Sequence, residues 1–359
     1  MENLRREDFM LTFESQGSTF LFEDIVARHY MTEENLILSD GRRMPVYVSK
    51  KALEKIRQVG EARTAAETRR AIDSLGSSAR TAARAASTYA SQSDLSEKDV
   101  RGAFGTLAAV CRDYSYFEPY YWDGAYEKAK DDPDLKESIE LVQGYKNKAR
   151  ADLDVVFFQK QGLLAVLVAK LSSQFAISED DVSCCQMAEL AALFGGAQVP
   201  RETLAARRAG YAFYMDPDHA VRLLEGKEAL ALVQKFEKDS LSPQTVIKGR
   251  TAHSTGKIVR GRARIVSRDY ADPSVTIRRI AEMRDGDIFV SETTDPEMMP
   301  ALQKAAAIVT DVGGMLSHAA ITARELGVPC VVMTGNASKL VKDGDMVEVD
   351  AQQSIIKIL

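Results

Sequence analysis

The chain has 359 residues, 45% hydrophobic and 28% charged, which is enough for two self-supporting cores. Lys plus Arg total 47 and Asp plus Glu 52, for a formal net charge of -5. That balance excludes a general polyanion or membrane-surface binder. Residues 1–10 (MENLRREDFM) lack the apolar run of a signal peptide, and no stretch reaches the roughly 18 apolar residues that a spanning helix needs. Cys111, Cys184, Cys185 and Cys330 form neither a disulfide framework nor a zinc pattern, so a reducing, cytoplasmic setting is expected. His29, His219, His253 and His318 are the four histidines.

Residues 1–242 are rich in Ala, Leu, Glu, Lys and Arg and read as a mostly α-helical domain. A short helix is expected over Phe20–Tyr30, then a turn at Ser39–Gly41. Ser49 is a candidate cap for a long helical tract to Ser91, weakened at Gly60 and Gly76. Ser96 opens a further helix with a capping-box spacing to Asp99. The aromatics Tyr114, Tyr116, Phe117, Tyr120, Tyr121 and Trp122 follow, either as plain core or beside an acceptor pocket. More helices are expected from Leu135 to about Gln174, from Ser178 to Phe194, from Pro200 to about Tyr214, and from Glu225 to Phe236.

Residues 243–255 read as a linker, and 256–359 as a compact α/β domain in which short Val/Ile runs alternate with helical segments. Expected strands include Gly256–Val266, Asp287–Ser291, Ala307–Thr310, Cys330–Met333, Val347–Val349 and Ile355–Ile358. Helices are expected over Val275–Met283, Pro300–Ala306 and Ser317–Leu326. The basic run Lys248–Arg268 places Arg260, Arg262 and Arg264 on one strand face. A solvated strand edge is its default reading; docking of an acidic partner is the alternative. Nucleic acid is disfavoured because no stacking aromatics interleave. Gly249–Lys257 is not a P-loop, since six residues separate its glycines and Ile258 follows the lysine.

The stretch from Thr310 to Thr334 carries the chemistry. A buried strand ends at Thr310, Asp311–Met315 is a glycine loop, and Ser317 is a candidate cap that sets His318 in the first turn of a helix. Gly327 and Pro329 stop that helix. A helix N-terminus disfavours a protonated ring and stabilises an anion placed on it. His318 therefore stands where a phosphohistidine is favoured, although by spacing alone a packing or capping histidine is as good a reading.

The same stretch resembles the phosphohistidine swivelling domain of the phosphoenolpyruvate-utilising enzymes: phosphoenolpyruvate synthase, pyruvate phosphate dikinase and the rifampin phosphotransferase group. The residues that carry the resemblance are Ala307–Asp311 (AIVTD), Gly313 and Gly314, Ser317–Ile321 (SHAAI), Ala323–Gly327 (ARELG), Val328, Pro329, Val331 and Val332. Thr334–Ala337, Asp343–Asp345, Val349 and Asp350 fit downstream, and Asp285–Asp287 and Thr293–Pro296 upstream; Ala351 stands where the family often has glycine. The likeness covers about residues 247–359.

It implies that His318 is phosphorylated during turnover. Gly313 and Gly314 would let the loop approach the phosphate, and Ser317 would cap the helix or bond the phosphoryl group. Thr310 and Asp311 would orient the histidine or merely end the strand. Arg324 lies about 240° around the helix from His318, so packing or a docking salt bridge competes with a phosphate contact. No metal ligand set is expected.

The resemblance implies Mg2+ with ATP or phosphoenolpyruvate, but bound by a partner domain rather than tightly by this chain. Neither an ATP-grasp pattern nor a phosphoenolpyruvate-binding barrel is evident in the sequence. The expectation is a phosphotransferase component, loaded by a separate ATP-grasp subunit and delivering to a small-molecule acceptor, with no nucleic acid or membrane partner. Residues Ile177–Asp181, Ala188–Leu193 and Glu202–Tyr211 faintly resemble the end of the helical region that precedes the histidine domain in the rifampin phosphotransferase type. The rival class is a non-catalytic interaction or regulatory module that retains the fold.

Overall fold

In a computed structural model the described residues are 1, 3–16, 18–29, 34–117, 125–240, 245–267, 273–315 and 317–359. Tyr120, Tyr121 and Trp122 of the aromatic run, and part of the expected linker, lie outside them. The chain forms two compact units. One holds residues 15–121 and 125–234; the other joins Leu4–Glu14 to Lys235–Leu359. Strand β1 (Phe9–Gln16) spans the division between them.

The first unit is not purely helical. The antiparallel strands β2 (Asn35–Ser39), β3 (Arg43–Ser49), β4 (Tyr211–Met215) and β5 (Val221–Glu225) lie in the order β3-β2-β4-β5. Ile37 faces Phe213 in register, and Phe213 faces Leu223. The sequence reading made Tyr211–Tyr214 the end of a helix. Gly210 instead ends helix α10 (Arg201–Ala209), and the alternating aromatics become a buried strand. Helix α1 (Phe20–His29) packs on this sheet through Phe20, whose ring meets Tyr211 edge-on at 5.2 Å.

The helices between β3 and β4 start where short polar side chains can cap them. Ser49 Oγ accepts from Ala52 N, opening α2 (Lys50–Glu61). The long tract then breaks, because Thr64 and Glu67 form a reciprocal capping box that starts α3 (Ala65–Ser91) afresh. Ser96 and Asp99 do the same for α4 (Glu97–Ser115). After the short α5 (Ala125–Lys128), Asp132 caps α6 (Pro133–Phe157), with Pro133 in its first turn. The remaining helices are α7 (Leu163–Phe175), α8 (Glu179–Ser183), α9 (Met187–Ala192), α10 and α11 (Gly226–Ser240). Thr68 Oγ1, bonded to Ser138 Oγ and Tyr116 OH, ties α3 to α6 and to the Tyr116 turn.

The second unit is built on an eight-stranded sheet. Its strands are β6 (Val246–Lys248), β7 (Arg250–His253), β8 (Val259–Ile265), β9 (Ile288–Ser291), β10 (Ala307–Thr310), β11 (Cys330–Val332), β12 (Met346–Asp350) and β13 (Ile355–Ile358). Their order is β6-β13-β12-β8-β9-β10-β11-β7. Residues 246–253, read from sequence as linker, therefore form two outer strands of this sheet. β8 to β11 run parallel. Helices α12 (Pro273–Glu282), α13 (Met299–Leu302), α14 (His318–Leu326) and α15 (Ala337–Leu340) complete the unit. Because β9, β10 and β11 are buried on both faces, they read as unbroken apolar runs rather than alternating ones. Ile288, Val290, Ala307, Val309, Val331, Val347 and Val349 make the core on one face. Among the described residues, no helix is long and apolar enough to cross a membrane.

Candidate functional site

Three parallel strands end side by side at Ser291, Thr310 and Val332. The loops that follow them gather at one edge of the sheet, where open α/β folds place their sites. Main-chain bonds lock two of these loops together: Thr334 N donates to Thr310 O at 3.1 Å, and Gly335 N to Asp311 O at 3.0 Å.

His318 is the first residue of α14. Ser317 caps the helix, its Oγ accepting from Ala320 N at 3.2 Å, and its own N–H donates to Gly314 O at 2.9 Å. Gly313 has φ +116°, and a Cβ there would stand 3.0 Å from Ser317 Cβ and Oγ. Glycine is thus required twice over at this position, for backbone conformation and for clearance. Gly313, Gly314 and Ser317 thus build the tight turn that leads into His318.

Thr310 and Asp311 fasten the loops at this edge. Thr310 Oγ1 donates to Val312 O at 2.8 Å and pins the loop's first turn. Asp311 is 1% exposed. Its carboxylate accepts from Thr334 Oγ1 at 2.8 Å, from Ser338 N at 3.1 Å and from Ser338 Oγ. It fastens the 334–338 segment to the glycine loop. Burial pushes this carboxyl above its ordinary range, against the pull of those hydrogen bonds. Arg324 reaches back along the helix, and its guanidinium donates to Met315 O at 2.8 Å. This places it as a brace of the glycine loop, in keeping with the angle that separates it from His318.

Thr294 was missing from the sequence-predicted site. Its Oγ1 lies 3.0 Å from His318 Nδ1. It comes from the loop after β9, 24 residues before the histidine in the chain. The available signal was its place just past a buried strand whose neighbours end at the same edge. Thr294 Oγ1 thus engages one nitrogen of the ring from the loop after β9 and helps set the ring's orientation.

The remaining histidines stand apart from this arrangement. His29 is in α1, where burial and then Arg112 and Arg28 lower its pKa. His219 lies in the turn between β4 and β5. His253 is in β7, not in a linker, and its pKa is lowered by burial and then by Arg324. Cys330 lies under α14, with burial pushing its thiol up to about 12, so it is no thiolate nucleophile. The basic face is largely neutralised. Arg260 and Lys357 pair with Glu348, and Arg264 with Asp287 and Asp343. β8 is also an internal strand rather than an edge, so its charges guard no open ladder.

Residues 283–354 match the family model for the mobile domain of PEP-utilising enzymes. Among curated proteins, the phosphoenolpyruvate synthase of Aeropyrum pernix is 35% identical over 152 residues, 40% of this chain and 18% of that protein. The probable phosphoenolpyruvate synthase of Archaeoglobus fulgidus is 53% identical over 79 residues, 22% of this chain and 10% of that protein. That of Escherichia coli is 42% identical over 127 residues, 34% and 16% of the two chains. The chain thus spans less than a fifth of the length of these relatives. Among solved structures, an Enzyme I solution structure aligns over 82% of this chain and 80% of its own at 13% identity, with a TM-score of 0.21. Aconitase X of Thermococcus kodakaraensis aligns over 32% of this chain and 99% of its own at 18% identity, with a TM-score of 0.24. Neither score carries an argument about fold.

Proposed function

We propose, from the match of residues 283–354 to the mobile domain of the phosphoenolpyruvate-utilising enzymes, that the chain is a phosphotransfer component of that family whose His318 carries the phosphoryl group. The observation that supports this most directly is the ring's tether. Nδ1 is engaged by Thr294 Oγ1 at 3.0 Å while the ring sits at the first position of α14. In this reading Nδ1 carries the ring proton and donates it to Thr294, and Nε2 is the attacking nitrogen.

The steps follow from that arrangement. Nε2 attacks the phosphorus of a phosphoryl donor, and the P–O bond to the donor's leaving oxygen breaks with its electron pair going to that oxygen. The ring then carries a positive charge, which the Nδ1–H bond to Thr294 disperses beside the negative phosphoryl oxygens. In the second half, an acceptor oxygen attacks phosphorus, the P–N bond breaks, and its electrons return to Nε2. The acceptor's proton leaves to a base outside this domain. The positive N-terminal end of α14 and the approach allowed by Gly313 favour the dianion electrostatically. Phosphoryl transfer needs such positioning and charge balance more than covalent chemistry from the protein.

The donor is ATP or phosphoenolpyruvate with Mg2+, which would neutralise phosphate charge when bound. We assign both to a partner, an ATP-grasp subunit, and the final acceptor to a small molecule. The test mixes the protein with the ATP-grasp subunit encoded nearest its gene and with ATP labelled separately at the β- and γ-phosphates. Acid-labile, base-stable label is expected on the wild type and absent from His318→Ala. Equal labelling of both proteins would refute the assignment. Absence of label with every donor would favour an interaction module that kept the fold.

A further inference from the structure

The N-terminal segment Leu4–Glu14 belongs to the same compact unit as His318, although the whole first unit intervenes in sequence. Its anchors are specific. Lys235 Nζ donates to Leu4 O at 2.8 Å, and the Phe9 ring meets Phe236 at 5.9 Å, with both rings buried. Between these anchors lies Arg6, in a single turn over Arg6–Asp8. One arm of its guanidinium donates to Phe9 O at 2.8 Å. The other arm stands against Gly335, where a Cβ would lie 3.1 Å from Nη2.

Gly335 is itself fixed to the site. It has φ +75°, and its N–H donates to Asp311 O, at the start of the loop that ends in His318. A guanidinium from the far end of the chain is thus held at the strand edge where the histidine loop begins. The other charges named at this edge are Asp311, sealed by Thr334 and Ser338, and Lys339, which acts on Asp311. A fixed cation beside a loop that carries a dianion is worth more than a flexible surface lysine, because its orientation is already set.

We propose that Arg6 is a positioning residue for the phosphohistidine: it holds the Thr334–Asn336 loop against Asp311 and supplies positive charge at the edge where the phosphoryl group on His318 stands. This rests on the phosphohistidine reading above. It also gives the N-terminal segment a role that no composition or motif suggested.

The full-length chain and its Arg6→Gln and Arg6→Lys variants are treated with phosphoramidate, which passes its phosphoryl group to imidazole with release of ammonia and needs no partner subunit. Phosphorus NMR follows the lifetime of the phosphohistidine, and proton–carbon NMR follows the titration of His318 in the untreated proteins. Arg6→Gln is expected to shorten the lifetime roughly two- to fivefold. It is also expected to raise the His318 midpoint by roughly 0.3 pH units, the order expected for removing one cation in a largely aqueous setting. Arg6→Lys should restore most of the midpoint, which follows charge, and only part of the lifetime, which also needs the fixed guanidinium; a purely structural role would not restore the midpoint. A labelled wild type with Arg6→Gln unchanged in lifetime and midpoint overturns the role of Arg6 alone. A wild type that takes no phosphoryl group on His318 removes the carrier reading and this role together.

Discussion

The two units treat buried polar groups in opposite ways. In the first, ionised side chains are sealed on every side. Arg207 is 3% exposed; it donates to both oxygens of Glu189, to Glu225 and to the Cys184 carbonyl, and stacks over the Phe20 ring at 4.6 Å. Asp24, fully buried, accepts from Arg28 and from Met187 N. In the second, hydroxyls and backbone amides hold the buried Asp311, and the ring of His318 is tethered through Nδ1. A charge bonded at once to two carboxylates and a carbonyl is a fold element; a ring engaged from a neighbouring loop at a helix start is, on the proposed reading, the reagent.

That contrast can be broken at its structural end first. Arg207→Ala leaves Glu189 and Glu225 without their shared partner and is expected to cost about 3–5 kcal/mol of stability, read by urea unfolding. Labelling of His318 per folded molecule should be unchanged. A loss of labelling with stability intact would show that the first unit's charge network serves the chemistry.

Glu23 gives the next largest effect. It is 1% exposed with Ser18 Oγ as its hydrogen-bond donor, and burial pushes its pKa up to about 8 from an ordinary 4.5. The native chain therefore keeps this proton where the unfolded chain has lost it. Stability is whole below about pH 4.5 and falls as pH rises towards 8, by on the order of 4 kcal/mol. Unfolding measured from pH 5 to 9 should show that decline, and Glu23→Gln should flatten it. An equal slope in the variant would assign the decline to another group.

Thr294→Val sharpens the other end of the comparison. It removes the partner of Nδ1 with little change in volume, so melting should hardly move while the rate of His318 labelling falls roughly 10- to 30-fold. Thr294→Ser, which keeps the hydroxyl, should label near the wild-type rate. If valine labels as fast as threonine, the tether does not prepare the ring.

Much of the second unit was legible because its signals are local. A buried run (AIVT), a glycine loop, a serine cap and a Gly327 stop lie within one stretch, and each acts on its own neighbours. The strands of the first unit were harder to read. Residues 35–39 and 211–215 pair across the entire helical segment, and Tyr211–Met215 follows Arg201–Ala209 with a glycine between, so a helical periodicity runs into it. Residues 246–253 carry Gly249 and Thr251 between Ser242-Pro243 and Ser254 and read as linker, yet the sheet has open edges that their backbone groups can pair with.

By itself the sequence determined the helix caps, the buried strands of the second unit and which of four histidines stands at a helix start, since each depends on residues a few positions apart. Only the tertiary structure decided what touches that histidine. Thr294 meets Nδ1 because two parallel strands end level, Asp311 ties down the 334–338 segment, and Arg6 arrives from the far end of the chain through the Phe9–Phe236 contact. Contacts between segments distant in sequence carry no periodicity, and strand pairing and core packing fix them only after the chain has closed on itself.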